Sequence, residues 1–107
     1  MLNKNEILNS ISKYLHQSAP TNYDSAELIY KLIITDEEWS SFSAGFDIQG
    51  KKAPPTNFAQ LQNKVEPLLD ELHILMKNEE NKDWRKLTLT IKDRKVNVEF
   101  DYSEQSL

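Results

Sequence analysis

The side chains that could support catalysis or bind a metal are few in this chain and lie far apart. Asp70 and His73 stand three residues apart, a spacing that places both on one face of a helix. A carboxylate-rich metal site in a helical bundle also needs matching carboxylates and a second histidine, and the sequence offers no such set. His16 closes an apolar helical pattern, where a cation suits the helix dipole. We therefore expect no bound metal and no cofactor.

Covalent and phosphate-binding chemistry is equally unsupported. The chain has no cysteine and only two glycines, which excludes a thiolate nucleophile and a glycine-rich phosphate loop. Glu99 and Asp101 form a pair of carboxylates on one face of a strand, but they lack the enclosed pocket of an acid–base site. They are either solvated strand residues or part of a binding surface. We expect a protein that is not an enzyme.

Length and charge narrow the class of protein further. The 107 residues correspond to one domain spanning 1–107, and the net charge is −4 at pH 7. A negative chain disfavours direct binding to nucleic acid and favours a basic partner. The N-terminal sequence lacks the continuous apolar core of a signal peptide, and no apolar run approaches the ~20 residues that span a membrane. Together with the absence of cysteine, this predicts a cytoplasmic location.

The stretch from Trp84 to Tyr102 organises the rest of the chain. Apolar and polar residues alternate on both sides of the short polar break Asp93-Arg94, and the apolar positions are Leu87, Leu89, Ile91, Val96, Val98, Phe100 and Tyr102. This period of two predicts an antiparallel hairpin with one buried face. Because an isolated hairpin is unstable in water, other elements must cover that face.

Two amphipathic helices can provide the cover. Residues 3–17 carry one apolar stripe, and Asn3 with Glu6 resembles a capping box. A second helix is predicted from Asn57 to about residue 79, because its apolar stripe keeps the same phase through Pro67. We expect one helix that is kinked at Pro67 on its solvent side.

Two strands are predicted between these helices, over residues 26–35 and 39–49, followed by a loop over 50–56. The resulting order is α-β-β-α-β-β. Two hairpins can join into one four-stranded antiparallel sheet, and both helices have a single apolar face. The sequence therefore predicts a two-layer α+β domain with the helices packed on one face of that sheet.

The other sheet face is predicted to be open to solvent or to a partner. Ile29 and Ile33 have the wrong parity for the core, and so has Trp39, unless a bulge resets its phase. Three carboxylates share the outward parity, and the complete set of candidate binding residues is Ile29, Ile33, Trp39, Asp47, Glu99 and Asp101. An apolar centre with a charged rim is typical of a recognition surface.

The second half of the chain resembles the YezG-like immunity proteins. The resemblance covers residues 56–103 and rests on Trp84 after a helix and a polar loop, and on the strand ending Glu99-Phe100-Asp101-Tyr102. Asp93-Arg94 stands where we would expect a glycine-bearing turn. Members of that family are small bacterial proteins encoded beside polymorphic or contact-dependent growth inhibition toxins, often nucleases, which they bind and neutralise.

The resemblance implies an immunity protein, or antitoxin, that inhibits a cognate toxin C-terminal domain stoichiometrically. Nuclease toxins have basic active faces, so an acidic inhibitor is attracted to them. The alternative from the residues alone is a small intracellular adaptor domain with a different partner. An enzyme is the third alternative, and it would require a pocket with convergent polar groups.

Overall fold

The computed structural model describes residues 2–105, and within that range the chain forms an α+β domain of two helices and five strands. The element order is α-β-β-β-α-β-β. The elements are α1 (Lys4–Gln17), β1 (Ser25–Ile34), β2 (Glu38–Ile48), β3 (Lys51–Ala53), α2 (Phe58–Glu79), β4 (Lys86–Lys92) and β5 (Lys95–Asp101). No helix among these residues is both long enough and apolar enough to span a membrane.

All five strands belong to one antiparallel sheet with the order β3-β2-β1-β4-β5. The central strand β1 directs Ala26, Leu28, Tyr30 and Leu32 into the core, and β4 adds Leu87, Leu89 and Ile91. Both helices bury their apolar stripes in the same cluster. The helices therefore form one layer on one sheet face, as the two amphipathic patterns predicted.

The prediction of four strands was wrong, because the segment assigned to a loop contains β3. Gln49 and Gly50 both have positive φ angles, 52° and 80°, which close a two-residue hairpin turn. Lys51–Ala53 then folds back along Phe46–Ile48. Three residues with the sequence Lys-Lys-Ala carry too little alternation to be recognised as a strand.

The helix ends follow the predicted capping residues. The Glu6 N–H donates to Asn3 Oδ1 at 2.9 Å, and the Asn3 N–H donates back to Glu6 Oε1 at 3.4 Å. The Gln60 N–H donates to Asn57 Oδ1 at 3.1 Å at the start of α2. Helix α2 continues through Pro67, which is exposed. A proline is tolerated there because its missing N–H lies on the solvent side.

Trp84 joins the helical layer to the hairpin. Its side chain is fully buried, and its ring lies 5.6 Å from Phe100, 5.1 Å from His73 of α2 and 6.3 Å from Tyr30 of β1. Among the described residues, Trp84 Nε1 is the one buried side-chain nitrogen or oxygen without a hydrogen-bond partner. The indole therefore acts through its size and shape.

A hydrogen bond ties the centre of the sheet to α2. The Tyr30 hydroxyl donates to Asp70 Oδ1 at 2.6 Å. Burial, followed by this bond to a carboxylate, raises the pKa of Tyr30 well above its ordinary value of 10.0. Tyr30 is therefore a neutral donor at physiological pH, and it contributes both to the core and to the alignment of α2.

The turn between β4 and β5 is strained. Asp93 and Arg94 have φ angles of 54° and 62°, so two residues with side chains occupy the left-handed region. This geometry matches the right-handed twist of a hairpin, and glycine normally occupies the second position.

Val96 and Tyr102, predicted to be on the buried face, are instead half exposed near the two ends of the edge strand β5.

The packing of Trp84 leads to a stability prediction. Trp84→Ala is expected to lower the free energy of unfolding by ~3–5 kcal/mol, because it opens a large cavity between the two layers. Trp84→Phe is expected to cost less than half of that, since the indole N–H has no hydrogen bond to lose. Chemical denaturation measures both values. A loss below ~1 kcal/mol for the alanine variant would contradict a core role.

The strained turn leads to a prediction of the opposite sign. Arg94→Gly is expected to raise the free energy of unfolding by ~1 kcal/mol, because glycine adopts a positive φ without a steric penalty. Lys95→Gly is the matched control. It places glycine in the regular strand β5 next to the turn, where the extra backbone freedom destabilises. Equal effects of the two substitutions in thermal unfolding would show that the turn stores no strain.

Candidate binding face

The sheet surface opposite the helices, named here the outer face, is not covered by any other described element. Strand register arranges its side chains in rows that cross β2, β1, β4 and β5 in that order. The rows are Ser41, Lys31, Lys86, Asp101; then Ser43, Ile29, Thr88, Glu99; then Gly45, Glu27, Thr90, Asn97; and then Asp47, Ser25, Lys92, Lys95. Trp39 and Ile33 form a further row beyond Ser41.

All six residues predicted to form the binding surface have outer-face positions in this register. Pairing between β1 and β2 runs without interruption from Ser25 with Asp47 to Ile34 with Glu38. Trp39 is therefore on the outer face by regular alternation, and no bulge resets its phase. Trp39 is 50% exposed, and Tyr102, also at 50%, is the other most exposed aromatic residue.

The six residues do not form one patch. Ile33 lies directly opposite Trp39 but is only 4% exposed, so it supports the surface without being open to a partner. Asp47 lies eight residues from Trp39 along β2, roughly 26 Å away in an extended strand. Its carboxylate receives hydrogen bonds from Lys52 and Ser25. The bond from Lys52 lowers the pKa of Asp47, so this charge is already paired.

The two carboxylates of β5 differ in their surroundings. The Ser103 hydroxyl and N–H both donate to Asp101 Oδ1, at 2.6 and 2.8 Å, and the hydroxyl bond lowers the pKa of Asp101. Asp101 is therefore ionised and partly occupied in holding the chain after β5. Glu99 is exposed, and the described residues provide no hydrogen bond or ion pair to its carboxylate. Of these two carboxylates, that of Glu99 is the more available for binding a partner.

Charge is unevenly distributed along the strands. The β1–β2 turn, the loop before β4 and the chain after β5 meet at the end of the sheet where Trp39 lies, named here the Trp39 end. Carboxylates are concentrated there: Asp36, Glu37, Glu38, Glu79, Glu80, Asp83, Asp101 and Glu104. Glu80 and Asp83 contact the basic residues Lys4, Lys82 and Arg85 at the same end.

The opposite end of the sheet is basic. Its two hairpin turns lie side by side, because Asp47 pairs with both Ser25 and Lys52, and Ser25 pairs with Lys92. These turns carry five basic residues, Lys51, Lys52, Lys92, Arg94 and Lys95, and the carboxylates Asp24, Asp47 and Asp93 lie in or beside them. Charge is therefore separated along the strands, and the Trp39 end, where carboxylates are in excess, is the end that would attract a basic partner.

The most open apolar surface near these carboxylates was only partly predicted. Ile34 has the same parity as the core residue Leu32, but it is 45% exposed, because it ends β1 beyond the last pair with β4. It pairs with Glu38, next to Trp39. The three consecutive acidic residues of the β1–β2 turn directly precede Trp39 in the sequence. Their contiguity with Trp39 was the signal that parity reasoning missed.

The residues considered for a metal site do not converge. Asp70 accepts the hydrogen bond of Tyr30, whereas His73 Nε2 lies 2.8 Å from Asp83 Oδ1. Arg85 also donates to Asp83, at 3.1 Å. The bond to His73 lowers the pKa of Asp83, with Arg85 assisting. This cluster flanks Trp84 and fixes the loop between α2 and β4. His16, at the end of α1, lies 2.8 Å from the Tyr23 hydroxyl.

Comparison with protein-family models and with curated proteins finds no match to this chain.

Proposed function

We propose that this chain is an immunity protein that binds a cognate bacterial toxin domain and neutralises it by occlusion, without catalysing a reaction. The observation that carries the proposal is the exposed Trp39 next to the acidic turn Asp36–Glu38. A half-exposed tryptophan bordered by exposed carboxylates matches the anatomy of an interface hot spot with a charged rim. The resemblance of Trp84 and Glu99–Tyr102 to immunity proteins supports the same function.

The partner proposed is a basic toxin domain, with a nuclease as the leading class. The carboxylates at the Trp39 end would attract the basic face that such a toxin uses for phosphate backbones. Trp39 would then supply the apolar contact, while Glu99 and Asp101 would fix the orientation. Ile29 shares a row with Glu99, about 10 Å away across β4, and extends the same surface.

The function is tested by co-expression with the candidate toxin domain encoded by the gene adjacent to the one for this chain. An immunity protein is expected to restore growth and to copurify with the toxin in a 1:1 complex. An adaptor domain with a different partner would do neither, and a pull-down from the native host would then recover that partner. Unchanged toxicity in the presence of folded, soluble protein would overturn the proposal.

The role of Trp39 leads to a binding prediction. Trp39→Ala is expected to raise the toxin dissociation constant at least ~30-fold, or about 2 kcal/mol, chiefly through faster dissociation. Ile74→Ala is the matched control, because Ile74 is 58% exposed but lies on α2, in the helical layer. Surface-immobilised kinetics with circular dichroism of each variant provide the measurement. Equal affinities for both variants would remove Trp39 from the interface.

Charge reversal at the Trp39 end should alter the association rate. Glu37→Lys combined with Glu99→Lys is expected to slow association ~10-fold at low salt and to flatten its salt dependence, because electrostatic attraction is lost. Asp101 is left intact because it holds Ser103. Glu66→Lys with Glu71→Lys changes net charge equally within α2, away from the Trp39 end, and serves as the control. If both pairs slowed association to the same extent, only net charge would matter.

A further inference from the structure

Strand β2 has an open edge over most of its length. Within residues 2–105, its outer neighbour β3 pairs only with Phe46–Ile48, so Glu38–Gly45 has β1 on one side and no strand on the other. Unpaired backbone groups on such an edge are a template for another strand. This segment is long enough to form a stable ladder with a partner.

The open edge of β2 lacks the features that normally prevent edge-to-edge pairing. No charged residue and no proline occurs from Trp39 through Phe46. The other edge of the sheet, β5, carries Lys95, Glu99 and Asp101 on its outer face. Charged side chains of this kind protect an exposed edge. The contrast shows that one edge is protected and the other is suited to pairing.

The hydrogen bonds that β2 makes with its neighbours determine which of its backbone N–H and C=O groups point to the open edge. The Asp47 carbonyl accepts from the Asp24 N–H at 2.8 Å, so it points toward β1. Successive residues of a strand direct their N–H and C=O groups to opposite edges. The even-numbered residues Ser40, Phe42 and Ala44 therefore direct theirs to the open edge.

We propose that β2 pairs with β2 of a second copy of this chain, antiparallel about a two-fold axis at Ser41, to form one continuous sheet. Strand β3 blocks pairing from Phe46 onward, and the longest symmetric ladder then places Ser41 opposite Ser41 of the other copy. Ser40 lies opposite Phe42, and Glu38 lies opposite Ala44. Each of these pairs exchanges two backbone hydrogen bonds.

Side-chain size supports this register on the outer face. It places each Trp39 opposite Ser43 of the other copy and diagonal to Gly45, which has no side chain. A shallow hollow of about 450 Å³ is lined by Ser43, Gly45 and Glu27, among others. The half-exposed indole of one copy thus lies over the smallest residues of the other, and the two-fold axis repeats the contact.

The β2 edge also has apolar side chains on the sheet face that packs against the helices, and a second copy of the chain could contact them. The Phe58 side chain, 39% exposed, lies 5.5 Å from the half-buried Phe42 ring beside the open edge. In the proposed register the Phe42 rings of the two copies are diagonal neighbours, a separation that aromatic side chains can bridge. Apolar surface therefore borders the ladder on both faces of the sheet.

The distribution of charge along the open edge favours pairing with a second copy of this chain over pairing with an unrelated strand. The acidic turn Asp36–Glu38 lies at one end of the open edge, and Lys51 with Lys52 lies at the other. An antiparallel two-fold arrangement places the acidic turn of each copy next to the lysines of its partner. The polarity along the strands is therefore self-complementary in this orientation, whereas a parallel arrangement would place like charges together.

The test uses purified protein alone and does not depend on any toxin. Sedimentation equilibrium from ~1 to ~100 µM is expected to show a monomer–dimer equilibrium. Ser41→Lys and Ser41→Glu are each expected to sediment as monomers, because like charges would face each other at the two-fold axis. An equimolar mixture of the two variants is expected to recover the dimer. That recovery also shows that both variants are folded.

Asn97→Lys is the matched control, since it adds the same charge to the outer face on β5, and it is expected to remain dimeric. Hydrogen exchange should show protection of the Ser40, Phe42 and Ala44 amides in the dimer and its loss in Ser41→Lys. A wild-type monomer throughout the range, or a dimer insensitive to Ser41→Lys, would overturn the proposal. Protection that appears only on adding the toxin domain would instead assign the edge to a toxin strand.

Discussion

Burial of the Trp84 indole is the interaction on which the two layers depend. The ring contacts His73 of α2, Tyr30 of β1 and Phe100 of β5, so it links the helical layer, the central strand and an edge strand. No other side chain has aromatic neighbours on three elements among the described residues. Asp83, the residue before Trp84, is held by His73 and Arg85, and these contacts fix the loop that contains Trp84.

One-sided packing is the consequence that matters for function. Within residues 2–105, two helices cover one face of the sheet, and no described element covers the outer face or most of the β2 edge. The exposed tryptophan lies where that face and that edge meet. Trp39 is therefore central both to the proposed toxin interface and to the proposed self-pairing, and the two would compete for it. A dimer that opens on meeting the toxin would protect the apolar edge until it is needed.

Charge polarity along the strands serves both proposals. The acidic Trp39 end would attract a basic toxin, and the same polarity favours an antiparallel copy whose lysines meet the acidic turn. Exposed charges act mainly over a Debye length of about 8 Å at physiological ionic strength. Their local arrangement at each end of the sheet therefore matters more than the net charge of −4.

The sequence by itself determined the elements whose signals are local. Asn3 and Asn57 mark the helix starts, alternation marks β4 and β5, and outward parity correctly placed Trp39 on the outer face. Each signal involves residues within a few positions of one another, where backbone geometry alone decides which side chains share a face.

Only the tertiary structure decided which of those side chains are neighbours. Ser41, Lys31, Lys86 and Asp101 form one row although β3 and α2 lie between β2 and β4 in the sequence. The short β3 exists because a two-residue turn returns the chain to β2, and it sets how much of that edge stays open. Asp47 accepts a hydrogen bond from Ser25 for the same reason: strand pairing joins residues far apart in the chain, and no local pattern records which partner each strand receives.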